Sequence, residues 1–316
     1  MTAGPAGAPA ATGTAHAKAI LFGEHSVVYG SPAVAIPLTA LNASAHLSAG
    51  ADGLRIDCDL YSGDAADAPA RLLPLVAAVS SACARTGIDP QRIALQLTSS
   101  IPYERGLGSS AAVAVAVARG IAALTGTVLD ADAVHAVAMD AERIAHGRSS
   151  GLDGRTVASE APIRFQNGVV TPVEVSGSFE FVLADSGHAG STAEAVGSVR
   201  AGMEESPSRV GGLLESLGLL AEASLARLAA GDVAGLGAQM SEAHTCLAEL
   251  GVSDDSLERL VSAATAGGAA GAKLTGGGRG GCVLALARSA AHAADLAETL
   301  RAAGAARTWQ TTVEAG

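Results

Sequence analysis

The chain has 316 residues, which is enough for two ordinary domains or one large one, each with its own core. Hydrophobic residues make up 49% of it and charged residues 16%, a balance typical of folded proteins and not of disordered ones. The formal net charge of -11 argues against nucleic acid or an anionic membrane as a partner, although a few local cations can still bind a small anion. The cysteines and histidines show no metal-ligand spacing, which favours buried free thiols in a reducing cytosol.

The N-terminal stretch MTAGPAGAPAATGTA has neither the basic nor the apolar region of a signal peptide and predicts a flexible lead over residues 1–15. The apolar run AAVAVAVARGIAAL is too short for a membrane span and is interrupted by Arg119 and Gly120. The sequence therefore predicts a cytoplasmic protein without a membrane-bound part.

The first half of the chain predicts strands followed by helices. AHAKAILFG reads as a strand that ends at a glycine, and a turn and three further strands follow, ending with LRIDCDL. Residues 68–86 predict a helix kinked at Pro74, and RIALQLTSS predicts another strand. A helix over about 109–124, a second helix capped by Asp130 and a short helix near Asp153 come next. APIRFQNGVVTPVEV predicts a hairpin with an Asn-Gly turn.

The second half of the chain has a different pattern. FEFVLADSG predicts a strand, and three or four helical stretches follow up to residue 265. AGAKLTGGGRGGCVLALA reads as strand, glycine loop and strand, and a helix and a last strand complete the chain. This order predicts two α+β domains that meet near residue 178.

The stretch IPYERGLGSSAA places glycines and serines at the start of a predicted helix. A helix N-terminus leaves backbone N–H groups unpaired and carries partial positive charge, and glycines let the backbone approach an anion closely. GLGSSA also fits the dinucleotide fingerprint G-x-G-x-x-A, but the acidic residue at the end of a following strand is missing, and no P-loop Gly-Lys-Ser/Thr is present. By itself the loop fits a serine-capped glycine turn at least as well as a phosphate site.

Three other stretches carry residues of chemical interest. Lys18 lies in an apolar strand, where it needs a carboxylate partner or a path to solvent, and the chain has only one other lysine, Lys273. ERIAHGRSSGLDG places Glu142 near a helix end and Asp153 after small residues that leave its carboxylate room to face a ligand. KLTGGGRGGC has five glycines between two predicted strands. Each stretch alone also fits a surface helix, a cap or a flexible hairpin tip.

Together these stretches resemble the motifs of the GHMP kinases, a family of small-molecule kinases. KAILFGEHSVVYGSPAVA is similar to the first motif, PYERGLGSSAA to Pro-x-x-x-Gly-Leu-Gly-Ser-Ser-Ala, and KLTGGGRGGC to Lys-x-Thr-Gly-x-Gly-x-Gly-Gly-Cys. Arg279 stands where the family usually has glycine. GEHSVVYG, HGRSSGLD and DSGHAGSTAEAV look most like the mevalonate kinase branch, whereas the phosphomevalonate and homoserine kinases have related motifs and are alternatives.

The resemblance implies a fold, a reaction and partners. The fold is α+β with two domains: an ATP-binding domain over 16–178, like domain 2 of ribosomal protein S5, and a ferredoxin-like α/β domain over 179–316, with the active site in the cleft between them. The reaction is ATP-dependent phosphorylation of the primary hydroxyl of (R)-mevalonate with Mg²⁺, giving 5-phosphomevalonate for isoprenoid precursor synthesis. Nucleic acid and membrane are not expected as partners, and the sequence does not decide between a monomer and a homodimer. A non-catalytic ligand sensor and a dinucleotide-binding oxidoreductase are the alternatives from other classes.

The resemblance also implies roles for individual residues. Asp153 matches the catalytic aspartate that accepts the hydroxyl proton, and Lys18 matches the lysine paired with it. Ser110 and Glu142 match the Mg²⁺ contacts of the family. The residues that match the substrate side are Lys18, Glu24, His25, Asp153, Thr192, Gly277 and Gly278. Those that match the ATP-binding loop are Pro102, Gly106, Leu107, Gly108, Ser109, Ser110 and Ala111. The cation for the substrate carboxylate is left open among Arg105, Arg148, Arg155 and Arg279.

Overall fold

The computed structural model describes residues 9–146 and 150–315, which form two compact units. The first unit contains the described residues up to Ala17 and two later ranges, Leu41–Ile101 and Gly108–Ala158. The second contains Lys18–Ala40, Pro102–Leu107 and the described residues from Ser159 onwards. The chain therefore passes more than once from one unit to the other.

The secondary structure of the described residues is mixed. The strands are β1 (Ala10–Phe22), β2 (Ala33–Ala49), β3 (Arg55–Cys58), β4 (Tyr61–Asp64), β5 (Ile93–Ser99), β6 (Ile163–Gln166), β7 (Val169–Pro172), β8 (Ser178–Asp185), β9 (Gly271–Thr275), β10 (Cys282–Leu286) and β11 (Arg307–Glu314). The α-helices are α1 (Leu73–Thr86), α2 (Ser109–Thr125), α3 (Ala131–His146), α4 (Leu152–Val157), α5 (Thr192–Glu205), α6 (Pro207–Ala230), α7 (Val233–Glu249), α8 (Asp255–Ala266) and α9 (Ala290–Ala302). None of the described helices is both long and apolar enough to cross a membrane.

The core of the first unit is built around α2. Alanine and valine occupy nearly all faces of this helix, and most of its residues are buried. It contacts α1, α3 and the short helix α4. Helix α3 begins as the sequence predicts, because the Asp130 carboxylate accepts a hydrogen bond of 2.8 Å from the Ala133 N–H.

The long strand β2 contributes to both units. In the first unit its residues 43–49 pair antiparallel with β5, which pairs in parallel with β3. In the second unit its residues 33–35 pair with β6, and β6 and β7 form the predicted hairpin with Asn167 and Gly168 at positive φ. The sequence predicted two strands over this range, but the alternation of exposed and buried residues continues without a break from Ala40 to Leu47, so a single strand forms.

The predicted flexible lead is wrong for its second part. Residues 1–8 lie outside the described residues, but β1 begins at Ala10. A Cβ on Gly13 would lie 2.1 Å from the Ala116 carbonyl oxygen and 2.2 Å from the Gly120 nitrogen, so the strand touches the α2 backbone there. The small residues that suggested flexibility are the ones that let the strand approach the helix so closely.

A four-stranded antiparallel sheet in the order β11-β8-β10-β9 forms the centre of the second unit. Strand β10 is fully buried, and its Cys282 pairs with Thr275 of β9, so the glycine motif between them is a hairpin loop as predicted. Helices α7 and α8 contact β9, and α9 contacts β8. Four helices, α5 to α8, occupy the range where three or four were predicted.

One further expectation, the kink at Pro74, differs from the structure, and the predicted division near residue 178 is not tested by it. Pro74 lies in the first turn of α1 and does not kink it, because a proline at that position loses no helical hydrogen bond. The compact units do not follow a division near residue 178, because Lys18–Ala40 and Pro102–Leu107 join the second unit. The two units are groups of residues that contact one another, and they need not coincide with family domains. The division at 178 therefore stays a prediction.

Candidate active site

The N-terminus of α2 is formed as the glycine-serine loop predicts. Gly106 and Gly108 have φ of 72° and 71°, a region that favours glycine, and Gly108 is the residue that precedes the helix. Among the described residues no side chain caps this helix end. The Ser109 hydroxyl oxygen is buried without a hydrogen-bond partner in the described structure, whereas Ser110 is exposed. Backbone N–H groups and an unpartnered hydroxyl at a helix N-terminus suit a phosphate group.

The second and third glycine motifs touch each other. A Cβ on Gly106 would lie 3.3 Å from both the Gly276 Cα and the Thr275 carbonyl oxygen. A Cβ on Gly276 would lie 3.0 Å from the Gly106 Cα. The glycines of these two motifs are thus needed for the close approach of two backbones, which a flexible hairpin tip would not require.

Lys18 lies at the same loop. Its side chain is buried within β1, its backbone N–H donates to the Leu107 carbonyl at 3.1 Å, and its Nζ donates to the Gly106 carbonyl at 3.1 Å. The ammonium group is therefore held beside the glycine-serine loop.

Glu24 forms a buried ion pair with Lys273. Both side chains have no exposed surface, and Nζ of Lys273 donates to Oε1 of Glu24 and, at 2.8 Å, to the Leu274 carbonyl. Burial raises the pKa of Glu24 and lowers that of Lys273, although each charge partly offsets the shift of the other. Oε2 of Glu24 is buried and has no hydrogen-bond partner in the described structure.

The residues that bind the first motif alternate along β9 and its continuation. Lys273 binds Glu24, the Thr275 hydroxyl bonds to the backbone of Ile20 at 3.0 and 2.9 Å, and the Gly277 carbonyl accepts a bond of 2.9 Å from Nε2 of His25. Alternate residues of a strand share one face, which explains the spacing of Lys273 and Thr275, whereas Gly277 lies beyond the end of β9 and bonds through its backbone. Sequence reasoning did not include Lys273 and Thr275 in the site, although the scarcity of lysine was a signal for the first.

His25 is held in a defined chemical state. Its Nε2 faces a carbonyl and therefore carries the proton, which leaves Nδ1 as an acceptor. Burial lowers the pKa of His25, and the nearby Lys273 ammonium lowers it further, so the ring is neutral at neutral pH. Its φ of 61° is unusual for a residue with a side chain and fixes the direction of the ring.

The third glycine motif passes close to three other segments. A Cβ on Gly277 would lie 2.7 Å from the Thr192 hydroxyl oxygen, and Thr192 begins α5. A Cβ on Gly278 would lie 2.1 Å from the Val252 carbonyl, and one on Gly280 would lie 2.6 Å from the Ala189 carbonyl. The loop is therefore tightly packed, and it brings Thr192 together with Gly277 as the resemblance implies.

Two of the four arginines considered for the substrate carboxylate already form ion pairs with aspartates. Nε of Arg105 lies 2.8 Å from the buried Asp185, and Arg155 lies 2.7 Å from Asp132. Arg279 is exposed and its side chain donates to the Gly251 carbonyl at 3.4 Å, a weak bond. Arg148 lies outside the described residues.

The remaining site residues belong to the first unit. Ser109, Ser110 and Ala111 begin α2, Glu142 is buried on α3, and Asp153 is half-buried in the first turn of α4. In the described ranges no group of three or more His, Cys, Asp or Glu side chains could hold a metal ion. A hydroxyl and one carboxylate still suit Mg²⁺, which keeps several waters and takes phosphate oxygens as ligands.

The chain is similar to mevalonate kinases both in sequence and in structure. The family model of the GHMP kinases N terminal domain matches residues 74–159, and that of the GHMP kinases C terminal matches residues 221–306. Mevalonate kinase of Pyrococcus horikoshii is 35% identical over 299 residues, 87% of this chain and 88% of its own. That of Thermococcus sibiricus is 35% identical over 294 residues with the same coverage. The crystal structure of L. major mevalonate kinase in complex with R-mevalonate superposes with a TM-score of 0.85 at 25% identity, covering 100% of this chain and 97% of its own.

Proposed function

The chain belongs to the GHMP kinase family, and from this premise we propose that it transfers the γ-phosphoryl group of ATP to the primary hydroxyl of (R)-mevalonate. The products are ADP and 5-phosphomevalonate, a precursor for isoprenoids. The observation that carries the proposal is the similarity to mevalonate kinases across 87% of the chain.

The nucleotide side of the reaction is assigned to the loop before α2. The ATP phosphates are bound by Pro102, Gly106, Leu107, Gly108, Ser109, Ser110 and Ala111, mainly through backbone N–H groups and the helix dipole. Mg²⁺ is held by the Ser110 hydroxyl and the Glu142 carboxylate, and it supplies positive charge that offsets the charge of the phosphates. The uncapped α2 N-terminus and the unpartnered Ser109 hydroxyl support this assignment.

The acceptor side is assigned to the first and third motifs. Asp153 accepts the proton of the reacting hydroxyl, and the Lys18 ammonium stabilises the negative charge that develops on its oxygen. Glu24 holds the first-motif loop through its ion pair with Lys273, and His25 forms a hydrogen bond with the acceptor. Thr192, Gly277 and Gly278 complete the acceptor side. In phosphoryl transfer such positioning and charge stabilisation outweigh proton removal.

Other features of the enzyme stay predictions of the sequence. They are the pairing of Lys18 with Asp153, a cleft that holds both and a cytoplasmic location, and the choice between a monomer and a homodimer is left open. The two arginines that are already paired with carboxylates, Arg105 and Arg155, are poor candidates for the substrate carboxylate.

An acceptor screen tests the proposal. The purified protein is incubated with ATP and Mg²⁺ and either mevalonate, phosphomevalonate, homoserine or galactose, and ADP release is followed. We expect rapid release with mevalonate, slow release with the others, and none without Mg²⁺. Robust turnover of another acceptor with none for mevalonate would reassign the substrate. Binding of ATP and mevalonate without ADP release would indicate a sensor, and binding of NAD(P)H in place of ATP would indicate an oxidoreductase.

A further inference from the structure

The short helix α4, which carries Asp153, is held against α3 by Arg155. The Arg155 guanidinium lies 2.7 Å from the Asp132 carboxylate and donates to the Ala131 carbonyl at 3.4 Å. Both partners belong to the first turn of α3, so one end of α4 is attached to the start of the longer helix.

The His135 ring, also on α3, packs against the other end of α4. A Cβ on Gly151 would lie 3.1 Å from Cε1 and 3.2 Å from Nε2 of His135. A Cβ on Gly154 would lie 3.0 Å from the Cβ of Ala138 and 3.1 Å from Nδ1 of the same ring. One edge of the imidazole therefore occupies the space that side chains at 151 and 154 would need, and Asp153 lies between these two glycines.

The ring packs as an uncharged group. Burial lowers the pKa of His135, and the Arg155 charge lowers it further against the opposing effect of Asp132. Its Nδ1 is buried and has no hydrogen-bond partner in the described part of the chain. A buried ring nitrogen without a partner costs free energy, so shape rather than hydrogen bonding accounts for its place.

We propose that His135 is a positioning residue whose ring fixes the first turn of α4 and thereby the direction of the Asp153 carboxylate. The inference rests on the proposed function, in which Asp153 is the group that accepts the hydroxyl proton. The glycines of SSGLDG then have a second purpose, because they make room for this ring as well as for a ligand.

Replacement of the ring is the first test. His135→Ala leaves space beneath the turn, and we expect kcat for mevalonate to fall about ten- to a hundredfold while KM for ATP stays unchanged, since a displacement of about 1 Å can cost that much. His135→Phe keeps a ring and should retain most of the wild-type kcat. Val134→Ala, a buried deletion at the neighbouring position of α3, is the matched control and should lower thermal stability without changing kcat.

Crowding of the ring is the second test. Gly154→Ala should lower kcat without changing KM for ATP, because its methyl group meets the ring as well as the Cβ of Ala138. A wild-type kcat in His135→Ala, an equal loss in Val134→Ala, or a wild-type kcat in Gly154→Ala would overturn the proposal. If His135→Ala does not fold, a loss of kcat in both His135→Phe and Val134→Ala would overturn it as well.

Asp153→Asn separates this inference from the proposed function. If kcat falls in this variant but not in His135→Ala, His135 is not a positioning residue, and Asp153 remains the group that accepts the proton. If Asp153→Asn turns over like the wild type, the assignment of the base is wrong.

Discussion

At the scale of single residues, Glu24 and Lys273 show how a buried charge pair can be costly and still be kept. Each ion loses its hydration on burial, and the attraction between the two charges offsets only part of this desolvation free energy. The raised pKa of Glu24 and the lowered pKa of Lys273 mean that the ionised pair costs stability at neutral pH. The pair nevertheless joins the first motif to β9, which is the role proposed for Glu24.

The cost of the pair can be measured by substitution. Lys273→Met leaves the Glu24 carboxylate buried without its partner, and we expect a loss of about 3–5 kcal/mol in the free energy of unfolding. The double variant Glu24→Met/Lys273→Met should recover most of this loss but bind mevalonate weakly. Urea denaturation and steady-state kinetics measure the two effects. A single variant as stable as the wild type would contradict the buried-pair description.

At the scale of elements, the third glycine motif is a loop in which close packing and backbone conformation can be distinguished. Arg279 has φ of 53°, in the left-handed region that costs a side-chain-bearing residue about 1–2 kcal/mol relative to glycine. Gly278 has φ of 83° and in addition faces the Val252 carbonyl so closely that no Cβ fits. Gly278 therefore has no room for a side chain, whereas Arg279 carries a side chain at a backbone conformation that glycine would adopt more easily.

Substitutions at these two positions should move stability in opposite directions. Arg279→Gly relieves the strained conformation and should stabilise the protein by about 1 kcal/mol. Gly278→Ala should destabilise it strongly, because its methyl group would lie 2.1 Å from backbone. Chemical denaturation of both variants makes the comparison. If Arg279→Gly instead leaves stability unchanged and raises KM for mevalonate, the arginine acts as a cation for the substrate and not as a loop residue.

At the scale of the whole molecule, buried and half-buried histidines make stability depend on pH. Burial lowers the pKa of His25, His135 and His244 from the ordinary value of 6.5. Unfolding exposes these rings, which then take up protons that the folded protein does not bind. Because the unfolded state binds more protons, folding loses stability as the pH falls below about 6.5.

The unfolding free energy should therefore decrease between pH 7 and pH 5, by up to about 1.4 kcal/mol per pH unit for each proton taken up. Carboxylates with a lowered pKa, such as Asp140 beside the Ser81 hydroxyl, lose their contribution only below their ordinary value of 3.8, outside this range. Denaturation curves at several pH values measure the slope. The raised pKa of Glu24 acts in the opposite direction, so the comparison is made between variants. His244→Gln should give a flatter slope than the wild type, and an unchanged slope would contradict the description of this ring.

Helix caps, tight turns and helix starts in this protein could be predicted from short stretches of sequence. The cap at Asp130, the turn at Asn167-Gly168 and the helix that begins at Ser109 depend on neighbouring residues and on the periodicities of helix and strand, so they could be predicted. The family motifs belong here too, because their chemistry lies in short contiguous stretches.

The tertiary structure alone decided which distant residues meet. The pairing of Glu24 with Lys273 joins residues 249 positions apart, and that of Arg105 with Asp185 joins residues 80 apart. The contact of Gly13 with Gly120 turned a stretch that looked flexible into a strand. The composition of either partner carries no information about the other, and such contacts exist only once packing has brought the two segments together.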